Sequence, residues 1–254
     1  MNEGPDARHC RISAAPNTER PQNKRGCAAS SQSQAYTDMR PREVRSMQQT
    51  VFTIGHSTHA IEYFVELLKR HAATALCDVR SKPYSRINPQ FNRELLKQVL
   101  RESGIAYVFL GRELGARSAD MTCYEGGRVK FDRLAHTELF QDGLDRVQEG
   151  MKNYRVVLMC AEKEPLECHR TILVARYLTS RGIDIHHIHA DGQLESHASA
   201  LSRLLRQLGM PEMDLFRSRD EMLAAAYRKQ EERVAYSPGT SSSATGNSAL
   251  RSAG

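Results

Sequence analysis

The clearest structural signal in the chain lies at residues 155–181, which read RVVLMCAEKEPLECHRTILVARYLTSR. Arg155–Ala161 contains a short run of apolar residues, which is typical of a strand that is buried on both faces. From about Cys168 to Arg181 the apolar residues fall on one helical face, and Gly182 follows as a common C-terminal stop. The segment is therefore predicted to form a strand, a loop and a helix.

Short apolar runs elsewhere in the chain also alternate with helical periods. This alternation predicts right-handed βαβ units and a parallel sheet. We therefore predict an α/β fold for residues 48–210, with a three-layer, open, mostly parallel five-stranded sheet and helices on both faces. An irregular insertion is expected at residues 116–130 and a charged C-terminal helix at residues 211–236. The other predicted strands are Val51–Ile54, Thr74–Val79, Ile105–Leu110 and Ile183–Ile188.

The composition distinguishes this domain from the two ends of the chain. Residues 1–47 are rich in Ser, Gln, Asn, Pro and Arg, and they are predicted to form a disordered basic tail. A start at Met39 or Met47 is the alternative interpretation of that segment. Residues 237–254 are predicted to be a second disordered tail. Much of the net charge of +6 belongs to these ends, so it gives only weak support for nucleic-acid binding.

The sequence shows no targeting signal, and together with the cysteine spacing this predicts a cytoplasmic protein. The N-terminus lacks the apolar segment of a signal peptide, and no apolar run approaches the ~20 residues that span a bilayer. The six cysteines show no dense framework spacing. We therefore expect reduced thiols and no membrane association.

Reactive side chains follow the predicted strands at their carboxyl ends. In an open parallel sheet these ends share one edge, where such folds bind ligands. The sequence therefore predicts a crevice at this edge. The candidate residues are His56, Ser57, Asp78, Arg80, Arg112, Cys160, Glu162, Cys168, His169 and Arg170.

Four motifs in these loops carry a family resemblance. They are TIGHSTH (53–59), CDVRSKPYSR (77–86), LGRELGAR (110–117) and CAEKEPLECHR (160–170). Over Val51–His197 the chain resembles the uncharacterised bacterial family called domain of unknown function 488. The resemblance implies a single α/β domain and supplies no activity. Residues 118–130 match none of these motifs.

The residue types allow several kinds of chemistry. Arg80, Arg112 and Arg170 are candidate anion ligands, because arginine binds phosphate and carboxylate in a bidentate manner. Ser57 and Cys160 are placed with them as substrate-binding residues.

Glu162 is the candidate acid–base group, and Asp78 is its candidate partner. Cys168, His169 and His56 complete the candidate catalytic set. The spacing of Cys168 and Arg170 differs from the Cys-Arg cradle of phosphatases and rhodaneses, which weakens a nucleophilic role for the cysteine.

Zinc remains a minority alternative, and we assign no metal site or cofactor from the sequence. Cys160, Cys168 and His169, with His56, are zinc-ligand types. However, the C-x7-C-H spacing differs from that of known structural zinc sites.

The leading hypothesis is an enzyme that hydrolyses, or transfers a group from, a phosphate-bearing small molecule or nucleotide in this crevice. The rival hypothesis is a non-catalytic module that binds a nucleotide or nucleic acid. Lys82, Tyr84 and Arg86 would be candidates for contacts with nucleic acid. The oligomeric state is left open.

Overall fold

The computed structural model describes residues 50–237 of the chain. The predictions for residues 1–47 and 238–254, including the alternative starts, lie outside the described residues. Within them, the predicted α/β fold with a mostly parallel central sheet is confirmed.

The described strands and helices alternate along most of the chain. The strands are β1 Thr50–Gly55, β2 Ala75–Asp78, β3 Ala106–Phe109, β4 Tyr124–Glu125, β5 Arg128–Val129, β6 Val156–Cys160, β7 Asp184–Ile188 and β8 Leu194–Ser196. The α-helices are α1 Ile61–Arg70, α2 Arg93–Glu102, α3 Phe131–Ala135, α4 Glu138–Met151, α5 Arg176–Ser180, α6 His197–Gln207 and α7 Arg219–Val234. Short 3-10 helices cover Pro89–Phe91, Met121–Cys123 and Pro165–Glu167, and a π-helix covers Arg170–Ala175.

The main sheet has the strand order β3-β2-β6-β1-β7-β8, and every pairing in it is parallel except that of β7 with β8. Strand β6 is buried along its whole length, as its apolar run predicts. Its register pairs Cys160 with Gly55 of β1 and Met159 with Asp78 of β2. This register brings the motifs that follow β1, β2 and β6 to the same edge of the sheet.

Helices cover both faces of the sheet. On one face, α1 and α2 bury residues such as Phe64 and Leu96. On the other face, Phe140 of α4, Leu204 of α6 and Met222 of α7 belong to a second apolar cluster. Burying one such side chain contributes about 1.5–3 kcal/mol, so both layers hold the sheet in place.

Two strand pairings were missed in the sequence. The sequence pattern predicts a helix that begins directly after Gly192. In the structure β8 comes before this helix, because the chain turns back at Gly192, whose φ of 85° suits glycine. Residues 116–130 include the hairpin β4–β5. Gly126 and Gly127, with φ of 57° and 73°, form the two-residue turn between its strands.

Helix boundaries also differ from the predictions. Residues 131–151 are predicted to be helical in two pieces with a break near Asp142. The break falls before Glu138, because the side chain of Thr137 caps α4 by accepting a hydrogen bond from the N–H of Phe140. The C-terminal helix begins at Arg219, where Ser218 and Glu221 form a capping box.

Within residues 50–237, no helix is both long and apolar enough to cross a membrane.

Candidate functional site

The GHS motif after β1 holds the loop after β6 through backbone contacts. The N–H groups of His56 and Ser57 donate to the carbonyls of Cys160 and Ala161 at 2.9 and 3.0 Å. A side chain at Gly55 would place its Cβ 1.9 Å from the carbonyl oxygen of Glu162. The glycine is therefore required by this close approach. Ser57 has a left-handed φ of 49°, which is uncommon for a residue with a side chain.

A similar approach joins the loops after β2 and β3. A Cβ at Gly111 would lie 2.0 Å from the carbonyl oxygen of Arg80. The first glycine of LGRELGAR thus allows this loop to pack directly against CDVR.

Asp78, Arg80 and His56 form a buried network beneath the crevice. Arg80 donates to both carboxylate oxygens of Asp78, at 2.9 and 2.7 Å, and Asp78 also accepts from Tyr107. His56 donates from Nδ1 to the carbonyl of Ser57 at 2.8 Å, so its Nε2 accepts from Arg80 at 3.1 Å. Burial, together with the neighbouring Arg80, lowers the pKa of His56 to about 4.

This network contains two of the candidate catalytic residues, Asp78 and His56, and places them away from the pocket. Asp78 is fully buried and occupied by Arg80, and His56 stacks on Phe91 with ring centroids 4.3 Å apart. Neither is among the residues that line the pocket described below. Both residues hold Arg80 through hydrogen bonds.

Four other candidates meet in a cluster of Cys160, Glu162, Cys168 and His169. One ligand-type atom from each residue lies within 4.8 Å of the others. Nδ1 of His169 is 3.6 Å from Sγ of Cys160 and 3.9 Å from Sγ of Cys168, and Sγ of Cys168 is 2.9 Å from Oε2 of Glu162. The two cysteines and the histidine are buried, whereas Glu162 is exposed and turns its carboxylate inward. His56, which the sequence grouped with them, lies outside this cluster.

The hydrogen bonds of His169 fix its tautomer. Nε2 lies 3.1 Å from the carbonyl oxygen of Val79, which can only accept, so Nε2 carries the proton. The lone pair of Nδ1 therefore points toward the two thiols.

Burial and the contacts within the cluster shift the pKa values of its four groups in different directions. Burial raises the pKa of Cys160 and Glu162. Burial acts in the same direction on Cys168, but its hydrogen bond with Cys160 and the charge of Arg170 outweigh it and lower its pKa well below the usual value. Burial acts to lower the pKa of His169, and its contacts with Cys168 and Glu162 reverse this, with a net rise.

Arg170 does not face the crevice, in contrast to its expected role as an anion ligand. Its side chain is fully buried and donates to the carbonyls of Glu162 and Lys163 at 2.7 and 3.3 Å. Its Nε has no hydrogen-bond partner among the described residues. Arg170 therefore shapes the loop and brings a buried positive charge close to Cys168.

A pocket of about 370 Å³ opens over the cluster. Cys160, Glu162 and His169 form part of its wall, and the C-terminal residues 233–237 close one side. Lys82, Arg117 and Arg233 also line it, and none of them has an ion-pair partner within residues 50–237. Arg80 lines it as well but is neutralised by Asp78. Glu162 is the single carboxylate among the described lining residues, so the pocket has an excess of positive charge.

Of the two arginines in LGRELGAR, the structure places Arg117, and not the candidate Arg112, in the wall of this pocket. Arg112 is exposed and is not among the lining residues, whereas Arg117, the last residue of the motif, stacks on Tyr236 with its guanidinium carbon 4.3 Å from the ring centroid. Ser57 is also not among the lining residues. Arg233 and Tyr236 were missed because they lie far along the chain in a charged helix and its end, with no motif around them.

The family model described as "Domain of unknown function DUF488" matches residues 60–178. Over these residues the chain is similar to the DUF488 family. The match confirms the resemblance that the motifs indicated. Neither the search of curated proteins nor that of solved structures found a match.

The DUF488 segment contains most of the pocket but not all of it. Arg80, Arg117 and the cluster from Cys160 to His169 lie inside residues 60–178. The GHS motif precedes the DUF488 match, and Arg233 and Tyr236 follow it. The pocket wall therefore combines DUF488 residues with a C-terminal segment from outside the match.

Proposed function

We propose that this protein is an enzyme that hydrolyses, or transfers a group from, a phosphate-bearing small molecule or nucleotide in the pocket at the carboxyl edge of the sheet. The observation that carries the proposal is the set of three cations, Lys82, Arg117 and Arg233, that converge on one pocket without carboxylate partners in the described chain. Cations arranged in this way bind an anion, and two of the three offer the bidentate geometry that suits phosphate.

The position of the pocket agrees with this function. Open α/β sheets bind ligands at the carboxyl ends of their strands, and this pocket lies beside Arg80 after β2 and Cys160 at the end of β6. A volume of about 370 Å³ is within the range that holds a small metabolite.

Glu162 is the side chain we assign to acid–base chemistry. In hydrolysis it would take the proton of the attacking water as the new oxygen–phosphorus bond forms. The bond to the leaving oxygen then breaks, and protonated Glu162 returns its proton to that oxygen, which restores the carboxylate. Glu162 lines the same pocket as the three cations, so a bound phosphate and an activated water can lie next to each other.

The cytoplasmic location belongs to the same proposal. The four described cysteines, Cys77, Cys123, Cys160 and Cys168, are free thiols, as expected in a reducing compartment.

The test is a turnover screen of the full chain against nucleotides and phosphate monoesters and diesters, with binding measured in parallel. Arg117→Ala should weaken binding by about tenfold or more, because a charge-assisted hydrogen bond contributes about 1.5–3 kcal/mol. Arg112→Ala is the matched control, since this arginine belongs to the same motif but is exposed and does not line the pocket.

A second pair of variants distinguishes catalysis from binding. Glu162→Gln should lower turnover by about 10²–10⁴-fold with little loss of binding, and Glu167→Gln, in the same loop but not among the lining residues, should have little effect. Binding without turnover would support the rival function, a nucleotide-binding or nucleic-acid-binding module. Absence of both would refute the proposal.

A further inference from the structure

We infer that Cys160, Cys168 and His169 bind one Zn²⁺ ion at the floor of the pocket, with Glu162 beside the fourth coordination position. This inference does not rest on the proposed function, because metal binding can be measured without any substrate. The sequence left zinc only as an alternative, because the C-x7-C-H spacing differs from that of known structural zinc sites.

The distances match a tetrahedral zinc site. Zinc–sulfur bonds of about 2.3 Å and zinc–nitrogen bonds of about 2.0–2.1 Å place sulfur and nitrogen roughly 3.6 Å apart in a tetrahedron. The observed separations between Nδ1 of His169 and the two sulfur atoms are 3.6 and 3.9 Å. The two sulfur atoms lie within 4.8 Å of each other, compared with about 3.8 Å in such a tetrahedron, so shifts of up to about an ångström would complete the three bonds.

The spacing along the chain is unusual because the ligands come from two different elements. Cys160 ends a strand, whereas Cys168 and His169 directly precede the π-helix at Arg170–Ala175. Zinc knuckles keep their cysteines within one tight turn, so their short spacing rule does not apply to ligands joined by a strand end and a helix start.

The groups around the ligands also fit a metal site. The histidine donates its other ring N–H to the carbonyl of Val79, the arrangement that orients metal-binding histidines. Sγ of Cys168 accepts a hydrogen bond from the backbone N–H of Arg170 at 3.4 Å. Such contacts position a thiolate and disperse its charge.

The charges of the two thiolates, Glu162 and Arg170 balance once a divalent cation is present. Two thiolates neutralise the cation, and the carboxylate of Glu162 balances the buried guanidinium of Arg170, which has no carboxylate partner in the described chain. Sγ of Cys168 and Oε2 of Glu162 lie 2.9 Å apart, a separation at which two anions need a proton or a cation between them. A metal ion at Cys168 provides that positive charge.

Burial distinguishes the three ligands from Glu162. Cys160, Cys168 and His169 are buried, whereas Glu162 is the exposed member of the cluster. Three protein ligands with a fourth position open to a pocket are the arrangement of catalytic zinc sites, where that position holds water. Glu162 is then placed to accept a proton from this water.

The first measurement uses the full chain purified in a thiol reductant. We expect about one zinc per chain by elemental analysis. After removal of zinc with a chelator, titration with Co²⁺ should produce sulfur-to-cobalt absorption and the visible bands of tetrahedral cobalt, and Zn²⁺ should displace them. A folded, reduced wild-type chain that binds neither ion would overturn the inference, even if the variants below fail to fold.

Variants then test the ligands. Cys160→Ser and Cys168→Ser should each weaken zinc binding by more than about a hundredfold, since loss of an outer-shell partner alone costs about 10–100-fold. Cys123→Ser and the double change Cys10→Ser, Cys27→Ser are the controls, and they should retain the metal. Retention in folded Cys160→Ser and Cys168→Ser, or loss in the control variants, would place the metal elsewhere and refute the site.

Glu162→Gln tests the three-ligand assignment. The inference expects this variant to keep stoichiometric zinc, because the carboxylate lies beside the fourth position and is not one of the three ligands. Loss of zinc in Glu162→Gln would contradict that assignment. Failure of the phosphate proposal would leave all of these metal measurements unaffected.

Discussion

Acid should destabilise this protein by protonating buried histidines, and His197 is the clearest of them to test. It belongs to a buried row of hydrogen bonds that runs from Thr53 through His187 and His197 to Tyr227. Its Nδ1 lies 3.0 Å from Nε2 of His187 and its Nε2 lies 2.9 Å from the hydroxyl of Tyr227. At the other end of this row of hydrogen bonds, the hydroxyl of Thr53 is 2.8 Å from Nδ1 of His187. These contacts join β1 and β7 to α6 and α7, so they hold the helix that leads to the pocket wall.

The direction of the effect follows from the pKa of His197. Burial lowers this pKa from 6.5 to about 4, and the nearby carboxylates of Asp184 and Glu195 only partly oppose it. The folded protein therefore binds fewer protons than the unfolded chain between these values. The stabilisation is complete above about pH 6.5 and is lost as the pH falls toward 4.

The magnitude follows from the same shift. One unit of pKa corresponds to about 1.4 kcal/mol, so His197 should contribute roughly 3 kcal/mol that acid removes. About 2 kcal/mol of this should be lost between about pH 7 and about pH 5. His56, whose pKa is also lowered to about 4, should add a similar loss.

Urea unfolding of the wild type and of His197→Asn at several pH values measures the effect. The chain has no tryptophan, so far-ultraviolet circular dichroism is the suitable signal. The variant should be less stable than the wild type at neutral pH. Between about pH 7 and about pH 5, however, its free energy of unfolding should fall by about 2 kcal/mol less than that of the wild type. The comparison cancels the contribution of His56, which both proteins share.

His186→Asn is the matched control, because His186 is next to His187 on β7, is partly exposed and lies outside the row of hydrogen bonds from Thr53 to Tyr227. It should keep the pH dependence of the wild type. If His197→Asn loses as much stability between about pH 7 and about pH 5 as the wild type does, the reasoning is wrong.

Two further predictions concern the loops that build the site. Gly55→Ala should destabilise the protein by more than about 2 kcal/mol in urea unfolding, because its Cβ would meet the carbonyl of Glu162. The control is Gly150→Ala, in a helix, where the nearest neighbour of the added Cβ is 3.8 Å away; it should be neutral or stabilising by up to about 1 kcal/mol. Equal effects of the two changes would refute the close-approach argument. Asp78→Asn should cost about 3–5 kcal/mol in the same assay, because it leaves the guanidinium of Arg80 buried without a carboxylate, and a loss below about 1 kcal/mol would show that the pair is not needed.

The fold class and the position of the candidate site could be predicted from the amino-acid sequence alone. The apolar run of β6, the alternation of strands and helices and the four motifs predicted the α/β fold, the edge that carries the reactive groups and the family. These are properties of local periodicity and of short segments, and a one-dimensional pattern expresses them directly.

Side-chain direction and burial had to come from the tertiary structure. Arg112 and Arg117 belong to one motif, yet Arg117 alone lines the pocket, because the packing of the loop after β3 on the loop after β2 determines which residue points inward. Arg170 looked like an anion ligand, but the fold buries it against two carbonyls. Spacing also spoke against zinc, whereas the strand end and the helix start bring Cys160 to within 3.6 Å of His169. The path of each loop and the burial of each side chain decide these features, and residue spacing alone does not specify either of them.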